Sequence, residues 1–248
     1  MIILLPPSET KNAATTKGKP VNFDNLSFPE LKAARTEVLT NLIKVSKQKN
    51  ALAVLSVGKS IAPEVERNTH LLEEPAQPAH QVYNGVLYDA LDYNSLTSAQ
   101  REKAHKSVLV QSALWGLISL TDKIPAYRLS MSVKLSRLGN LTTWWKKHLE
   151  LPFSDDEIFV DCRSGTYQNA YPTPVEKTVL IKPLGIVNGK KKVITHMAKQ
   201  TRGLVTRELL QSRKQVKTIK DIANILGKKW QVELIEPKGK NPWVLEVI

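Results

Sequence analysis

The stretch Asp161-Cys162-Arg163-Ser164-Gly165-Thr166-Tyr167 sets an acid, a thiol, a hydroxyl and a phenol directly after an apolar run. Side chains at the end of a buried strand are well placed for chemistry, because the strand fixes their positions while the following loop leaves them open. Asp161 with Lys11 or Lys199 is a candidate base-excision pair of the kind that attacks an unstacked nucleotide, and Tyr167 is a further candidate site residue. Cys162 would need a neighbouring base such as His196 to act as a nucleophile, and a lone cysteine is more often a small core residue. Glu9 and Lys11 follow another short apolar run and are placed like residues at the end of a sheet; ordinary loop charges are the alternative.

A second group of residues suits anions. Lys199 and Arg202 are three apart on one face of an expected helix, with Arg207 displaced around it and His196 just before it. Unpaired N–H groups at a helix start attract phosphate, and lysine and arginine supply the charge. Gly203 permits close approach of a backbone or a phosphate. Arg128, after Pro125 and Tyr127, either anchors the interior by pairing with Asp122 or another carboxylate, or lines a cleft. The five histidines, His70, His80, His105, His148 and His196, show no pair at metal-ligand spacing, so no metal site or cofactor is expected.

Charge agrees with an anionic partner. The chain has 36 Lys+Arg against 23 Asp+Glu, a formal +13. Lys177–Lys240 alone holds 16 basic and 4 acidic residues, an excess of 12. Neutralising phosphates releases counterions and so supplies affinity without reading bases, although a solvated basic face kept for solubility would look the same. Cys162 is the single cysteine, which leaves no internal disulfide and agrees with a reducing compartment. Met1–Leu5 ends at Pro6-Pro7 and is too short for a signal peptide, and no apolar run has the length of a spanning helix, so a cytoplasmic location is expected.

These residues must be held by a core, and 248 residues with 42% hydrophobic content can build a large one. The pattern predicts a strand at Ile2–Leu5, helices at Pro29–Ser46 and Ser60–Leu72, and a strand or helix at Ala51–Val57. Glu73–Pro78 reads as a surface connection. A helix capped by Thr97 or Ser98 is expected to run to about Gln111, and another to span Leu141–Leu149 before Pro152. Strands are expected at Glu157–Cys162 and Lys177–Val187, the latter turning through Asn188-Gly189 into Lys192–Met197 as a hairpin. Helices at Ala198–Ser212 and Thr218–Leu226 and strands at Trp230–Ile235 and Trp243–Val247 complete an α+β fold, a mixed β-sheet core with surrounding helices in one domain over residues 1–248.

Four segments together resemble a known family: Leu4-Leu5-Pro6-Pro7-Ser8-Glu9-Thr10-Lys11, Tyr83-Asn84-Gly85-Val86-Leu87-Tyr88, Ser112-Ala113-Leu114-Trp115-Gly116-Leu117 with Tyr127-Arg128-Leu129-Ser130-Met131, and His196-Met197-Ala198-Lys199-Gln200-Thr201-Arg202-Gly203. In order and spacing they are similar to the YaaA-like peroxide stress-response family over essentially the whole chain. The resemblance implies a cytosolic protein tied to hydrogen peroxide stress and low free iron. It further implies that duplex or distorted DNA is bound in a basic cleft, by a helix-hairpin-helix element among other contacts. Such an element wants two glycines in a phosphate-binding turn, and Gln111–Leu117 keeps the second, Gly116, with Ala113 at the first. Taken with the basic residues read above, the expected DNA contacts are Gly116, Arg128, His196, Lys199, Arg202 and Arg207, on a chain read as a monomer without a membrane partner. An enzyme acting on a nucleic-acid base or nucleotide, through Asp161, Lys11 and Tyr167, is the alternative. A helix ending at Gly116 over a packed core is the plain structural reading of that segment.

Overall fold

Ile2–Leu5 is apolar at every position, and such a strand is stable only when it is covered on both faces. The computed structural model describes residues 1–150, 153–187, 189–192 and 195–248, and there this run is β1, buried throughout. It lies inside a seven-stranded sheet, parallel to Val108–Ser112 (β3) on one side and to Phe159–Asp161 (β8) on the other. Beyond β8 come Thr178–Pro183 (β9) and Trp243–Val247 (β13), also parallel. The sheet is mixed because both borders are antiparallel. Gly116–Ser119 (β4) pairs with β3, and Val232–Ile235 (β12) pairs with β13, giving the order β12-β13-β9-β8-β1-β3-β4. Gly185–Val187 (β10) and Lys190–Lys192 (β11) form a separate antiparallel hairpin; Asn188, expected in its turn, lies outside the described residues. Two-residue pairings complete the strands: Gln77–Pro78 (β2) with Lys123–Ile124 (β5), and Lys134–Leu135 (β6) with Gly139–Asn140 (β7).

The helices follow the apolar periodicity closely at the two ends of the chain. Lys32–Ser46 (α1) buries Val38, Leu39, Leu42 and Val45. Ala51–Val54 (α2) and Ala62–Arg67 (α3) are short and joined by a turn in which Ser56 has φ 55. Ala79–Val82 (α4), Val86–Leu91 (α5) and Ser98–Ser107 (α6) come next; Thr97 caps α6 in a capping box with Gln100. Leu141–His148 (α7) is capped by Asn140, and Gly165–Ala170 (α8) follows β8. Thr195–Gln211 (α9) packs on α5, α6, α10 and the strand β9, and Ile219–Leu226 (α10) is capped by Thr218 with Asp221. One hydrophobic cluster takes in residues from Ile2 to Val247.

Three expectations need correction. The helix from Thr97 does not reach Gln111; it stops at Ser107, and Val108–Ser112 is a strand with all five residues buried. Burial on both faces of an interior strand removes the alternation that would have distinguished strand from helix. Gln111–Leu117 is therefore not a helix-hairpin-helix turn but the tip of the β3–β4 hairpin. There Ser112 Oγ accepts from the N–H groups of Leu114 (3.1 Å) and Trp115 (2.9 Å). Of the expected strand Lys192–Met197, Lys192 belongs to β11 but residues 195–197 belong to α9, and residues 193 and 194 lie outside the described residues.

Two glycines are required where they stand. Gly203 lies where α9 crosses α5, and a Cβ there would sit 2.1 Å from the Leu87 carbonyl oxygen. Close backbone approach is the use anticipated for it, and the partner is a helix. Gly116 has φ 69, and a Cβ would meet the Trp145 ring at 2.7 Å. Gly116→Ala combines a left-handed alanine with overpacking and is expected to lower unfolding free energy by about 3 kcal/mol in urea titration. A loss under about 1 kcal/mol would show that the hairpin tip yields more easily than this packing allows.

Candidate functional site

Parallel strands carry their ligand sites at their carboxyl ends, and a cavity of about 590 Å³ opens there. The loop leaving β1 supplies Pro6, Pro7, Ser8, Glu9 and Thr10, and the loop and helix after β8 supply Ser164, Thr166 and Tyr167. The turn between α2 and α3 adds Leu55, Ser56 and Val57, and the start of α5 adds Asn84 to Tyr88. Arg128 to Ser130 and, from α9, Lys199 and Arg202 close the wall.

The β1 loop is pinned from several directions. Tyr88 donates its hydroxyl to the Pro6 carbonyl at 2.7 Å, and the backbone of Lys11 bridges to Tyr83. Arg128 Nη1 donates to the Glu9 carbonyl at 2.8 Å, and Lys199 Nζ lies 3.3 Å from Glu9 Oε1. Arg128 is itself held by Asn68, a fully buried side chain that exchanges two 2.8 Å hydrogen bonds with its backbone. Sequence reading passed over Asn68 because one asparagine in a helical segment has no signature. Of the alternatives for Arg128, the cavity wall is where it stands. Asp122 is occupied by the backbone N–H and hydroxyl groups of Ser27 and Ser119, at 2.9 to 3.2 Å.

Lys11 occupies an unusual place. Its ammonium lies 4.3 Å from the ring centroid of Tyr127 and 5.7 Å from that of Tyr83, and it donates to the Ser8 carbonyl at 2.7 Å. Below it the hydroxyls of Ser112, Tyr127 and Tyr83 form a buried chain with links of 2.7 and 3.1 Å. Desolvation first, and the Arg128 charge second, lower the Lys11 pKa to about 7, against weaker opposing pulls from Glu64 and Glu9. Burial holds the phenols of Tyr83, Tyr127 and Tyr167 above their ordinary range, so all three remain neutral hydrogen-bonding groups.

The cations expected to act together separate into two sets. Lys199 and Arg202 reach the cavity with Arg128. The Arg202 Nε–H is buried without a hydrogen-bond partner among the described residues. Arg207 instead closes the end of α5, donating to the carbonyls of Leu91 (3.0 Å) and Asp92 (2.9 Å), where a cation favours a helix terminus. The His196 side chain lies outside the described residues. Gly116 is in the buried hairpin against Trp145, not on the cavity wall. Four cations of the basic C-terminal segment are engaged in ion pairs: Lys182 and Lys191 with Glu246, Lys214 with Asp221, and Lys229 with Glu208.

The strand-end acid also differs from expectation. Asp161 is not a free base, because both its oxygens are taken by Arg163, with Nε at 2.9 Å and Nη2 at 2.7 Å, and neither residue lines the cavity. Arg163 Nη1 continues to Gln111 Oε1 at 2.5 Å, so the guanidinium spans from β8 to β3 past the end of β1. Cys162 is fully buried, and burial pushes its thiol up to about 12, which removes it as a nucleophile. Of the three catalytic candidates, Tyr167 lines the cavity and Lys11 adjoins it. Among the described residues no group of three His, Cys, Asp or Glu side chains is placed to hold a metal ion, and no helix is long and apolar enough to cross a membrane.

A second buried arginine was not anticipated. Arg35 of α1 is fully buried and donates four hydrogen bonds, to the carbonyls of Trp115, Leu117, Phe28 and Ser27, at 2.7 to 3.1 Å. It joins α1 to the β3–β4 hairpin.

Comparison with known proteins adds to this geometry. The family model described as "Peroxide stress protein YaaA" matches residues 1–234. A UPF0246 protein of Streptomyces coelicolor is 37% identical over 262 residues, covering 100% of this chain and 98% of its own. A UPF0246 protein of Corynebacterium glutamicum is 39% identical over 230 residues, 91% of each chain, and an uncharacterised protein of Campylobacter jejuni is 29% identical over 256 residues, 100% of each.

Removing the charge at Asp161 strands a buried guanidinium. Asp161→Asn is therefore expected to cost about 3–5 kcal/mol of unfolding free energy. Asp156→Asn, at an exposed carboxylate, should change it by less than about 0.5 kcal/mol. Equal small losses from both in chemical denaturation would mean that the pair contributes little to the fold.

Proposed function

Because the chain belongs to the peroxide stress protein YaaA family, we propose that it acts in that response by binding duplex or distorted DNA through phosphate contacts at the cavity mouth. One observation carries the reading. Arg128, Lys199 and Arg202, from segments far apart in sequence, converge on one cavity whose wall has a single carboxylate, Glu9. That carboxylate is already engaged by Lys199, and the Arg202 Nε–H is left without a protein partner among the described residues. Charged donors of this kind suit phosphate oxygens and carry no information about base sequence. The hydroxyls of Ser8, Thr10, Ser130 and Ser132 at the same wall suit the same role. A cavity of about 590 Å³ is too small for a duplex, so the duplex rests on the rim and at most an unstacked nucleotide enters. In this reading the basic cleft is formed by these three cations in place of a helix-hairpin-helix turn at Gly116. Its setting is cytoplasmic, and the link to limited free iron is assigned no binding site.

Fluorescence anisotropy with labelled duplex and bubble DNA tests the proposal. Three neutralised phosphates predict an affinity loss of roughly 40-fold between 50 and 200 mM salt. Lys199→Ala and Arg202→Ala should each weaken all sequences alike and reduce the salt slope by about 1. Arg207→Ala should lower stability and leave the slope unchanged. Salt-insensitive binding, or a slope that falls for Arg207→Ala and not for Arg202→Ala, would contradict the assignment.

A further inference from the structure

We propose that Lys11 is an amine nucleophile that forms an imine with a phosphorylated aldehyde held in the cavity, in DNA the ring-opened sugar aldehyde of an abasic site. The assignment of that DNA substrate rests on the reading above; the amine chemistry does not.

The argument begins with what surrounds the nitrogen. Lys11 has carbonyls, those of Ser8 (2.7 Å) and Glu9 (3.4 Å), as its hydrogen-bond partners, not a carboxylate. The Glu9 carbonyl also accepts from Arg128, so one neutral oxygen faces two cations. Lys11 is half-buried, and a lysine kept only for structure is normally left in water or paired with an acid, because an ammonium partly removed from water beside a guanidinium is costly. The groups facing it are the Tyr127 and Tyr83 rings, the Arg128 charge, and the more distant Glu64 and Glu9 carboxylates. In that setting a large part of the population is neutral amine near pH 7, the form that attacks carbonyl carbon.

Position supplies the rest. Ser8, Glu9 and Arg128, which touch Lys11 or share its acceptor, are all in the cavity wall, and Lys199 and Arg202 stand on the same wall to hold a phosphate. The amine lone pair adds to the aldehyde carbon as the carbonyl electrons move to oxygen. That oxygen takes the protons released from nitrogen and leaves as water, and the product is the imine plus water with no change of oxidation state.

The test is reductive trapping. The full-length protein is mixed with an oligonucleotide carrying one abasic site, an intact duplex, glyceraldehyde 3-phosphate or glyceraldehyde. Sodium borohydride is then added to convert any imine into a stable secondary amine, and the adduct is located by peptide mass mapping. The expected result is an adduct on Lys11 with the abasic strand and with the phosphorylated triose, none with the intact duplex, and trapping about tenfold slower without the phosphate. The initial rate should rise from pH 6, reach half its maximum near about 7 and level off above it by about one pH unit, following the deprotonated amine. Lys11→Gln, uncharged like the neutral amine and unable to form an imine, should fold and lose trapping.

Mapping of the adduct to Lys199 or another lysine would overturn the proposal, and so would no adduct on DNA that anisotropy shows to be bound. If abasic DNA is not bound at all, the DNA reading fails and the triose phosphate decides. A Lys11 adduct there sustains the amine chemistry, and its absence ends it.

Discussion

A guanidinium in a protein interior has to find acceptors for every donor, and where it finds them determines what it joins. Arg163 finds them in Asp161, two residues back on the same strand end, and in Gln111 of β3. β1 runs between those two strands, so the bridge passes across the point where the chain leaves the sheet toward Ser8, Glu9 and Lys11. It also fixes the start of the segment that carries Ser164, Thr166 and Tyr167 to the cavity. The site's two central walls are therefore set by one buried ion pair, whose solvation cost is offset by bidentate geometry and a third hydrogen bond.

Around that bridge the protein repeats one device, a polar side chain buried to hold backbone. Arg35 ties four carbonyls at the hairpin and the chain before α1, Asn68 holds Arg128 by two hydrogen bonds, and Asp122 gathers Ser27 and Ser119. Each uses a charge or amide to order irregular chain that strands and helices do not reach. The cations at the cavity contrast with these. Lys199 is half exposed and its contact with Glu9 is a surface pair of small energetic weight, so a phosphate can replace the carboxylate at little cost.

Elements with a clear period were legible in the sequence. Ile2–Leu5, Pro29–Ser46, Thr218–Leu226 and Trp243–Val247 stand close to where the apolar spacing and capping residues put them. The failure at Val108–Ser112 has a physical cause: an interior strand buried on both faces shows no alternation and, directly after a helix, looks like its continuation. Lys199, Arg202 and Arg128 stand out in the sequence by residue type alone; that all three line one cavity is visible only in the fold. Asp161 was misleading for a reason only coordinates reveal. The side chain that neutralises it is two residues away, and nothing in the spacing says whether Arg163 turns inward or toward solvent. The environment of Lys11 was illegible too, since it depends on Tyr83 and Tyr127, far away in sequence.

The central claim is that the carboxyl-end cavity, and not the rest of the basic C-terminal surface, meets the polyanion. A second groove of about 410 Å³, lined by Lys177, Lys217, Lys220 and Trp243, offers the natural rival because its charge is also positive. Hydrogen–deuterium exchange of the protein with and without a saturating duplex compares the two directly. The account predicts slowed exchange in peptides covering Ser8–Lys11, Tyr127–Ser132 and Lys199–Arg202, with no change at Lys177 or Lys217–Lys220. Slowed exchange at the Lys177 and Lys217–Lys220 groove, with the cavity peptides unchanged, would contradict it.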